Sequence, residues 1–368
     1  MIVGVPKEVK TEEYRVGAPP MAVGVLTKAG HQMLVQTTAG EGSGFADEEY
    51  IEAGATVVST AEEVFSRAEM IYKVKEPIPS EYPLLRKDQI LFTFLHLAPA
   101  KELTHALMDR GVIAIAYEMI ELPDGSAPLL EPMSAIAGRL AIPVAAQYLG
   151  KMYNGSGKLL GGIPGVPPAT VVILGGGIVG SNAAQMALGL GAHVITVDNN
   201  VGRLRYLSEI LHGRFETLVS NPYNIANAVK EADVVIGAVL VKGGRAPIMV
   251  TRDMVRSMKP GSVIVDVAVD QGGCVETTRP TTHSDPIYIV DGVIHYAVTN
   301  MPGIVPRTSA MALSNATLPY ALKLANLGFR EAMRSDEPLR KGLNVWNGKV
   351  TNKIVADSLG LEYTPFQP

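Results

Sequence analysis

The sequence predicts an α/β protein of two Rossmann-like domains, with parallel sheets separated by a cleft and linked by long helices. Three observations predict it. Short apolar runs alternate with helix-like segments from the first residues onward. A second series of such runs opens at Val171 and leads straight into a glycine-rich turn. Between the two series lies a long stretch with helical spacing.

In the first series, residues 2–5, 32–36, 70–74, 90–95 and 112–116 read as strands, with helices at 20–28, 61–68 and 100–110. Residues 132–153 are rich in Ala, Ile, Leu and Met and read as one long helix. The Gly- and Pro-rich stretch 154–168 must be loop. The second series begins with 171–174 and continues with 194–198, 233–238, 262–269 and 288–290. Residues 309–327 again read as a helix. The tail, 328–368, is too short for a third core and packs most economically on the first domain. The expected boundaries are therefore 1–128 plus 307–368 for a discontinuous first domain, and 129–306 for the second.

Composition bounds the function. The 368 residues suffice for two domains with substantial cores. A net charge of −4 offers no basic surface for nucleic acid or an anionic membrane. One cysteine, Cys274, excludes an internal disulfide framework. The N-terminal residues lack a signal-peptide core, and no apolar run reaches the roughly 20 residues of a membrane helix. These features predict a soluble cytoplasmic protein.

The glycine turn carries the most specific signal. After the apolar run ending at Leu174, Gly175, Gly177 and Gly180 fit G-x-G-x-x-G. Gly175 allows a tight turn, Gly177 lets backbone approach a pyrophosphate, and Gly180 lets the helix pack close to the strand. The helix N-terminus offers N–H groups and a positive dipole end to phosphates. Asp198 closes the next apolar run at about the roughly 20-residue offset of a carboxylate that binds a ribose 2′-OH. That acid favours NAD, because a 2′-phosphate would meet its negative charge. Arg203 could stack on adenine or soften that repulsion, and reads equally as a solvated helix residue.

Polar residues also stand where strands end. Arg15 follows the first strand, Lys75 the third, His96 the fourth, and Asp270 the run 262–269. Singly, each has an ordinary structural reading. Together they offer what a small amino or oxo acid needs. A guanidinium holds a carboxylate in a bidentate fork, a lysine donates to an oxygen, and an imidazole exchanges protons near neutrality. Asp266, inside its strand, reads as a structural hydrogen-bonding group. The seven scattered histidines and single cysteine suggest no metal site.

The chain resembles the alanine dehydrogenase family, to which the NAD-binding transhydrogenase subunit is similar. The resemblance spans Gly4-Val5-Pro6-Lys7-Glu8, Glu13-Tyr14-Arg15-Val16, Lys75-Glu76-Pro77, Ala116-Tyr117-Glu118 and Met133-Ser134-Ala135-Ile136-Ala137-Gly138. It continues through 266–273, 281–286 and Asn300-Met301-Pro302-Gly303. It implies NAD-dependent, reversible oxidative deamination of L-alanine to pyruvate and ammonium, in a homohexamer. It further implies that Arg15 and Lys75 bind substrate, that His96 is the acid/base and that Asp270 activates water. Asn300 would support the substrate pocket, and Met133 is expected to restrict it to a methyl group. By the same resemblance Ser134, Asp198, Arg203 and Ser220 line the NAD site, with Val239, Leu240, Val267 and Met301 on its nicotinamide side. Two places depart from the family pattern. Gly17-Ala18-Pro19-Pro20 removes a threonine that would cap the next helix, and Lys242-Gly243-Gly244-Arg245 replaces a Pro-containing turn. A transhydrogenase subunit, exchanging hydride with a partner's nucleotide, is the second reading. It normally continues toward a membrane-spanning part, and this chain ends at Pro368.

Overall fold

The computed structural model describes residues 1–239 and 245–367. Leu240 and the turn residues 242–244 lie outside the described residues. Fifteen strands are present among the described residues. The first six are β1 (Ile2–Val5), β2 (Gln32–Gln36), β3 (Thr56–Val58), β4 (Met70–Tyr72), β5 (Ile90–Thr93) and β6 (Ile113–Ala116). Then come β7 (Thr170–Leu174), β8 (His193–Asp198), β9 (Phe215–Val219), β10 (Val234–Gly237), β11 (Val263–Asp266), β12 (Ile287–Val290) and β13 (Val293–Tyr296). The last two are β14 (Leu343–Trp346) and β15 (Lys349–Val350).

The chain divides into two compact units, Met1–Met133 with Gly303–Pro368, and Ser134–Pro302. In the first unit the sheet order is β15-β14-β6-β5-β4-β1-β2-β3. Its six leading strands are all parallel and run 3-2-1-4-5-6, the doubly wound order whose reversal lies between β1 and β4. β14 joins β6 antiparallel, so the C-terminal tail completes this sheet. The strands read as near-continuous apolar runs because both faces are covered: Ile90–Thr93 and Ile113–Ala116 are buried at every position. Gly4 shows how closely a helix lies on β1, since a Cβ there would come within 2.6 Å of the Val64 side chain.

The second unit repeats this order. Its sheet runs β12-β13-β11-β10-β7-β8-β9, with β12 as an antiparallel edge on six parallel strands. One face packs on Ala141, Ile142, Ala145, Ala183 and Ala187. Small residues on the helices Glu131–Tyr148 and Ile178–Gly189 allow that close packing.

Several elements differ from expectation. The long helix ends at Tyr148, and Lys151–Tyr153 forms a separate 3-10 turn after Gly150. The run 262–269 is not one strand. It ends at Asp266, and Val267–Gln271 turns into a 3-10 helix because the Asp266 carboxylate captures the Ala268 N–H at 3.1 Å. The helix expected to stop at 327 starts at Pro306 and meets Gly328 in a left-handed conformation (φ 71°, ψ 166°), after which helix resumes to Ser335. No helix among the described residues is long and apolar enough to cross a membrane.

Candidate active site

Arg15, Lys75 and His96 leave the carboxyl ends of β1, β4 and β5, three neighbouring strands beside the point where the strand order reverses. Ligands of open α/β sheets bind at such ends. The loop after β1 is fixed by close backbone approach: a Cβ on Gly17 would lie 2.4 Å from the Tyr72 carbonyl oxygen. Pro19 supplies no side-chain cap, as its chemistry requires. The helix Pro20–Lys28 starts regardless, with Pro20 preset for its first turn.

Arg15 is buried, 3% exposed. Its Nε and Nη2 donate to the two Glu13 oxygens at 2.6 and 2.5 Å, and Nη1 reaches the Met133 sulfur at 3.1 Å. Burial raises the Glu13 pKa, but the Arg15 bonds and charge, with the charge of Lys75, outweigh it and hold Glu13 at about 2. Lys75 is half-buried, and burial followed by the Arg15 charge pulls its pKa down.

Beneath Lys75 lies a network that the sequence reading missed. Lys73, 1% exposed, donates to Glu81 at 2.6 Å and lies 3.4 Å from Glu8. Burial opposes the Lys73 charge, and the two carboxylates more than offset that, so its pKa is raised. Glu8 also accepts the backbone N–H of Val74 at 2.6 Å and of Lys75 at 3.4 Å. Burial raises the Glu8 pKa despite Lys73. The available signal was two lysines flanking Val74 at the end of a buried strand; the inward one needs carboxylate partners.

His96 adopts a left-handed backbone conformation (φ 49°). Glu118 holds this turn by accepting the N–H of His96 at 2.7 Å and of Leu95 at 3.3 Å. The imidazole is half-exposed, stacks on Phe94 with centroids 5.7 Å apart, and keeps Nδ1 3.9 Å from the Glu118 carboxylate.

In the second unit the glycine turn after β7 shows the tight turn expected at Gly175 and the close helix packing expected at Gly180. Gly175 has φ 101° and a Cβ there would lie 2.6 Å from the Ala238 carbonyl oxygen. A Cβ on Gly180 would come within 1.8 Å of the Gly175 carbonyl oxygen. By contrast, a Cβ on Gly177 would meet nothing within 4 Å, so the backbone there faces open space ahead of the helix Ile178–Gly189. This is the form a pyrophosphate cradle takes, and the donor set fits a dinucleotide. Asp198, ending β8, accepts the N–H of Gly176 at 2.6 Å and of Asn200 at 2.8 Å. Arg203 donates Nε to the Gly176 carbonyl at 2.5 Å, so it grips the turn and is not simply solvated.

The other sequence candidates fall into place around these. Ser220 follows β9 and donates its backbone N–H to the Asp198 carbonyl at 2.9 Å. Val239 follows β10, and Val267 and exposed Asp270 lie in the turn after β11. Asp270 thus stands one turn beyond the strand end it was expected to occupy. Asn300 (φ 61°) accepts a bond from His283 Nε2 at 3.2 Å, and Met301 is packed into the core. Ser134 is half-buried on the helix Glu131–Tyr148. Asp266 is the structural group expected, taking the N–H groups of Cys274 and Val275 at 3.0 and 3.2 Å and the Thr278 hydroxyl at 2.6 Å. Arg15, Lys75, His96 and Met133 thus share the first unit, whereas Asp270 and Asn300 belong with the glycine turn in the second.

Residues 4–137 match the family model of the alanine dehydrogenase/PNT N-terminal domain, and residues 141–353 match that of its C-terminal domain. The chain is 56% identical to an alanine dehydrogenase of Methanococcus maripaludis, over 99% of this chain and 98% of that protein. It is 55% identical to alanine dehydrogenase 2 of Staphylococcus aureus strain N315, with the same coverage. Among solved structures, an L-alanine dehydrogenase superposes with a TM-score of 0.95 at 56% identity, covering 98% of this chain and 99% of that one. A transhydrogenase from Sinorhizobium meliloti gives 0.82 at 25% identity, covering 96% and 99%.

Proposed function

The chain belongs to the alanine dehydrogenase/PNT family, and on that premise we propose that it catalyses the reversible, NAD-dependent oxidative deamination of L-alanine to pyruvate and ammonium. One observation supports this reading above the rest: Arg15, Lys75 and His96 stand at adjacent strand ends within a chain similar to alanine dehydrogenases along nearly its whole length. The transhydrogenase likeness is weaker in identity and leaves this polar set without a task.

Arg15 and Lys75 bind the substrate carboxylate and, in the carbinolamine and pyruvate, the oxygen at C2. Their two positive charges are partly balanced by Glu13, which suits a monocarboxylate. His96 removes and returns the proton at the oxygen on C2, its half-exposed ring backed by Phe94. Asp270 accepts a proton from the water that attacks the imine; the carbinolamine then gives its hydroxyl proton to His96 and expels its protonated nitrogen as ammonia, leaving pyruvate. Met133 limits the substrate side chain to a methyl group, and Asn300 is assigned to the substrate by the resemblance. Ser134, Gly175, Gly177, Gly180, Asp198, Arg203 and Ser220 would hold NAD, with Val239, Leu240, Val267 and Met301 around its nicotinamide. When bound, NAD takes up the two electrons and the hydrogen that leave Cα. We take the working form to be a homohexamer, as the resemblance implies, and cytoplasmic, as the composition implies.

The test is NADH formation from NAD and L-alanine by purified protein at alkaline pH, beside D-alanine, L-serine and glycine. Turnover selective for L-alanine supports the proposal. Absent turnover with NAD binding intact rejects it, and hydride exchange between nucleotides becomes the next assay.

A further inference from the structure

An arginine that binds a carboxylate in a fork has two useful edges, the side-on pair Nε/Nη2 and the end-on pair Nη1/Nη2. In this chain the side-on edge of Arg15 is taken from within. Glu13 Oε1 accepts Arg15 Nε at 2.6 Å and the Arg15 backbone N–H at 3.0 Å, and Oε2 accepts Nη2 at 2.5 Å. The pair is two residues apart and almost fully buried, with side chains 2% and 0% exposed. At the other end, Nη1 points at the Met133 sulfur, 3.1 Å away. A thioether is a weak acceptor.

We propose that Glu13 is a positioning residue that occupies the side-on edge of Arg15 and so makes the substrate carboxylate bind end-on, displacing the Met133 sulfur from Nη1. The inference rests on the function proposed above and refines it. The bidentate fork expected from the sequence then forms on the end-on edge, beside Lys75. A carboxylate that takes Nη1 in place of the thioether leaves the Glu13 pair whole. Met133 then has a second part besides limiting the pocket to a methyl group. Its sulfur keeps Nη1 directed at the place the carboxylate will take.

Three described neighbours do not set the Arg15 direction. The Gly17 contact with β4 fixes the backbone of the loop but not the guanidinium. Lys75 repels Arg15 and cannot hold it. Glu8 binds the backbone at Val74 and Lys75 and the Lys73 ammonium. Glu13 alone among these grips two guanidinium nitrogens.

The experiment compares wild-type protein with Glu13→Gln in both reaction directions. Gln keeps the size and one acceptor but loses the charge-assisted bond to Nη2. The expected result is a rise of about tenfold or more in KM for L-alanine and pyruvate, with kcat within about threefold and KM for NAD unchanged, the pattern of lost uniform binding. Unchanged KM values for both acids overturn the inference. So does a loss shared equally by kcat and the NAD KM, which a merely structural pair would give. If Glu13→Gln does not fold, Glu13→Asp, which keeps the charge but falls short of Nη2, is judged by the same criteria. Wild-type protein without alanine turnover overturns the proposed function and this inference together. Active wild type with an unaffected variant overturns the inference alone.

Discussion

A nearly buried guanidinium needs an anion beside it, and this sequence supplies one two residues away. Glu13 and Arg15 carry each other's desolvation. The Glu13 pKa falls from 4.5 unfolded to about 2 folded. A depressed carboxylate contributes stability that is fully present above the unfolded value and is lost as pH falls through the folded one. That contribution is on the order of 3 kcal/mol at neutral pH. The stability gap between wild type and Glu13→Gln, read from urea midpoints, should therefore be widest at neutral pH and shrink below about pH 4.5. A gap independent of pH would mean that Glu13 does not titrate with folding. At His96, replacement by Ala should lower kcat by the roughly 10² of a lost general acid/base, and near-normal turnover would remove it from the mechanism. For Asp198→Ala the informative quantity is the ratio of NAD to NADP efficiency, which should fall; an unchanged ratio would reject Asp198 as the ribose reader. Arg15, Lys75 and His96 were legible because each follows a visible apolar run. Glu13, Glu8, Glu81 and Glu118 were not, because a carboxylate in a loop looks solvated until the fold buries it.

Among the elements, the glycine turn was legible because each glycine answers a distinct steric demand. Gly180 and Gly177 separate two of those demands experimentally. Alanine at Gly180 would place a methyl 1.8 Å from the Gly175 carbonyl oxygen, so the helix must move off β7. The cost should be about 1–3 kcal/mol or more, as for overpacked cores, with a lower melting temperature and weakened NADH binding together. Alanine at Gly177 meets nothing within 4 Å and needs no unusual backbone (φ −66°). Gly177→Ala should therefore melt close to wild type yet bind NADH at least about tenfold more weakly, because the methyl occupies the approach to the backbone. Equal losses of stability in the two variants would show that the turn is structural only. Where the sequence misled, hydrophobicity continued past a change of backbone direction. Val267, Ala268 and Val269 look like strand, but the Asp266 carboxylate gathers backbone donors from both sides of the turn and ends β11 early. β9 was passed over for the opposite reason. It is an edge strand, partly exposed along its length, and the adjacent Glu216 and Thr217 interrupt its apolar run.

Across the whole chain, the same strand order is built twice, but the two units close differently. The second is one continuous stretch, Ser134–Pro302, with apolar clusters of its own on both faces of its sheet. In the first unit, the chain leaves after Met133 and returns at Gly303. Its β6 is buried at every position and pairs on its outer side only with β14, from the returning tail. Removing the tail would strip partners from an apolar strand and leave an open sheet edge, a template for aggregation. Independent folding should follow this asymmetry. A fragment spanning 131–302, which keeps the helix Glu131–Tyr148 whole, should melt cooperatively and bind NADH in a fluorescence titration, without amino-acid turnover. A fragment spanning 1–133 should fail to fold alone and recover structure when 303–368 is supplied, because the second piece restores β14 and β15 to the sheet. Far-ultraviolet dichroism and thermal melts of the separate and mixed fragments decide the matter. An unfolded 131–302 fragment would mean that the second unit does not fold by itself. A stable 1–133 fragment would mean that β6 does not need the tail, and that the order of the six parallel strands alone is enough to hold the unit.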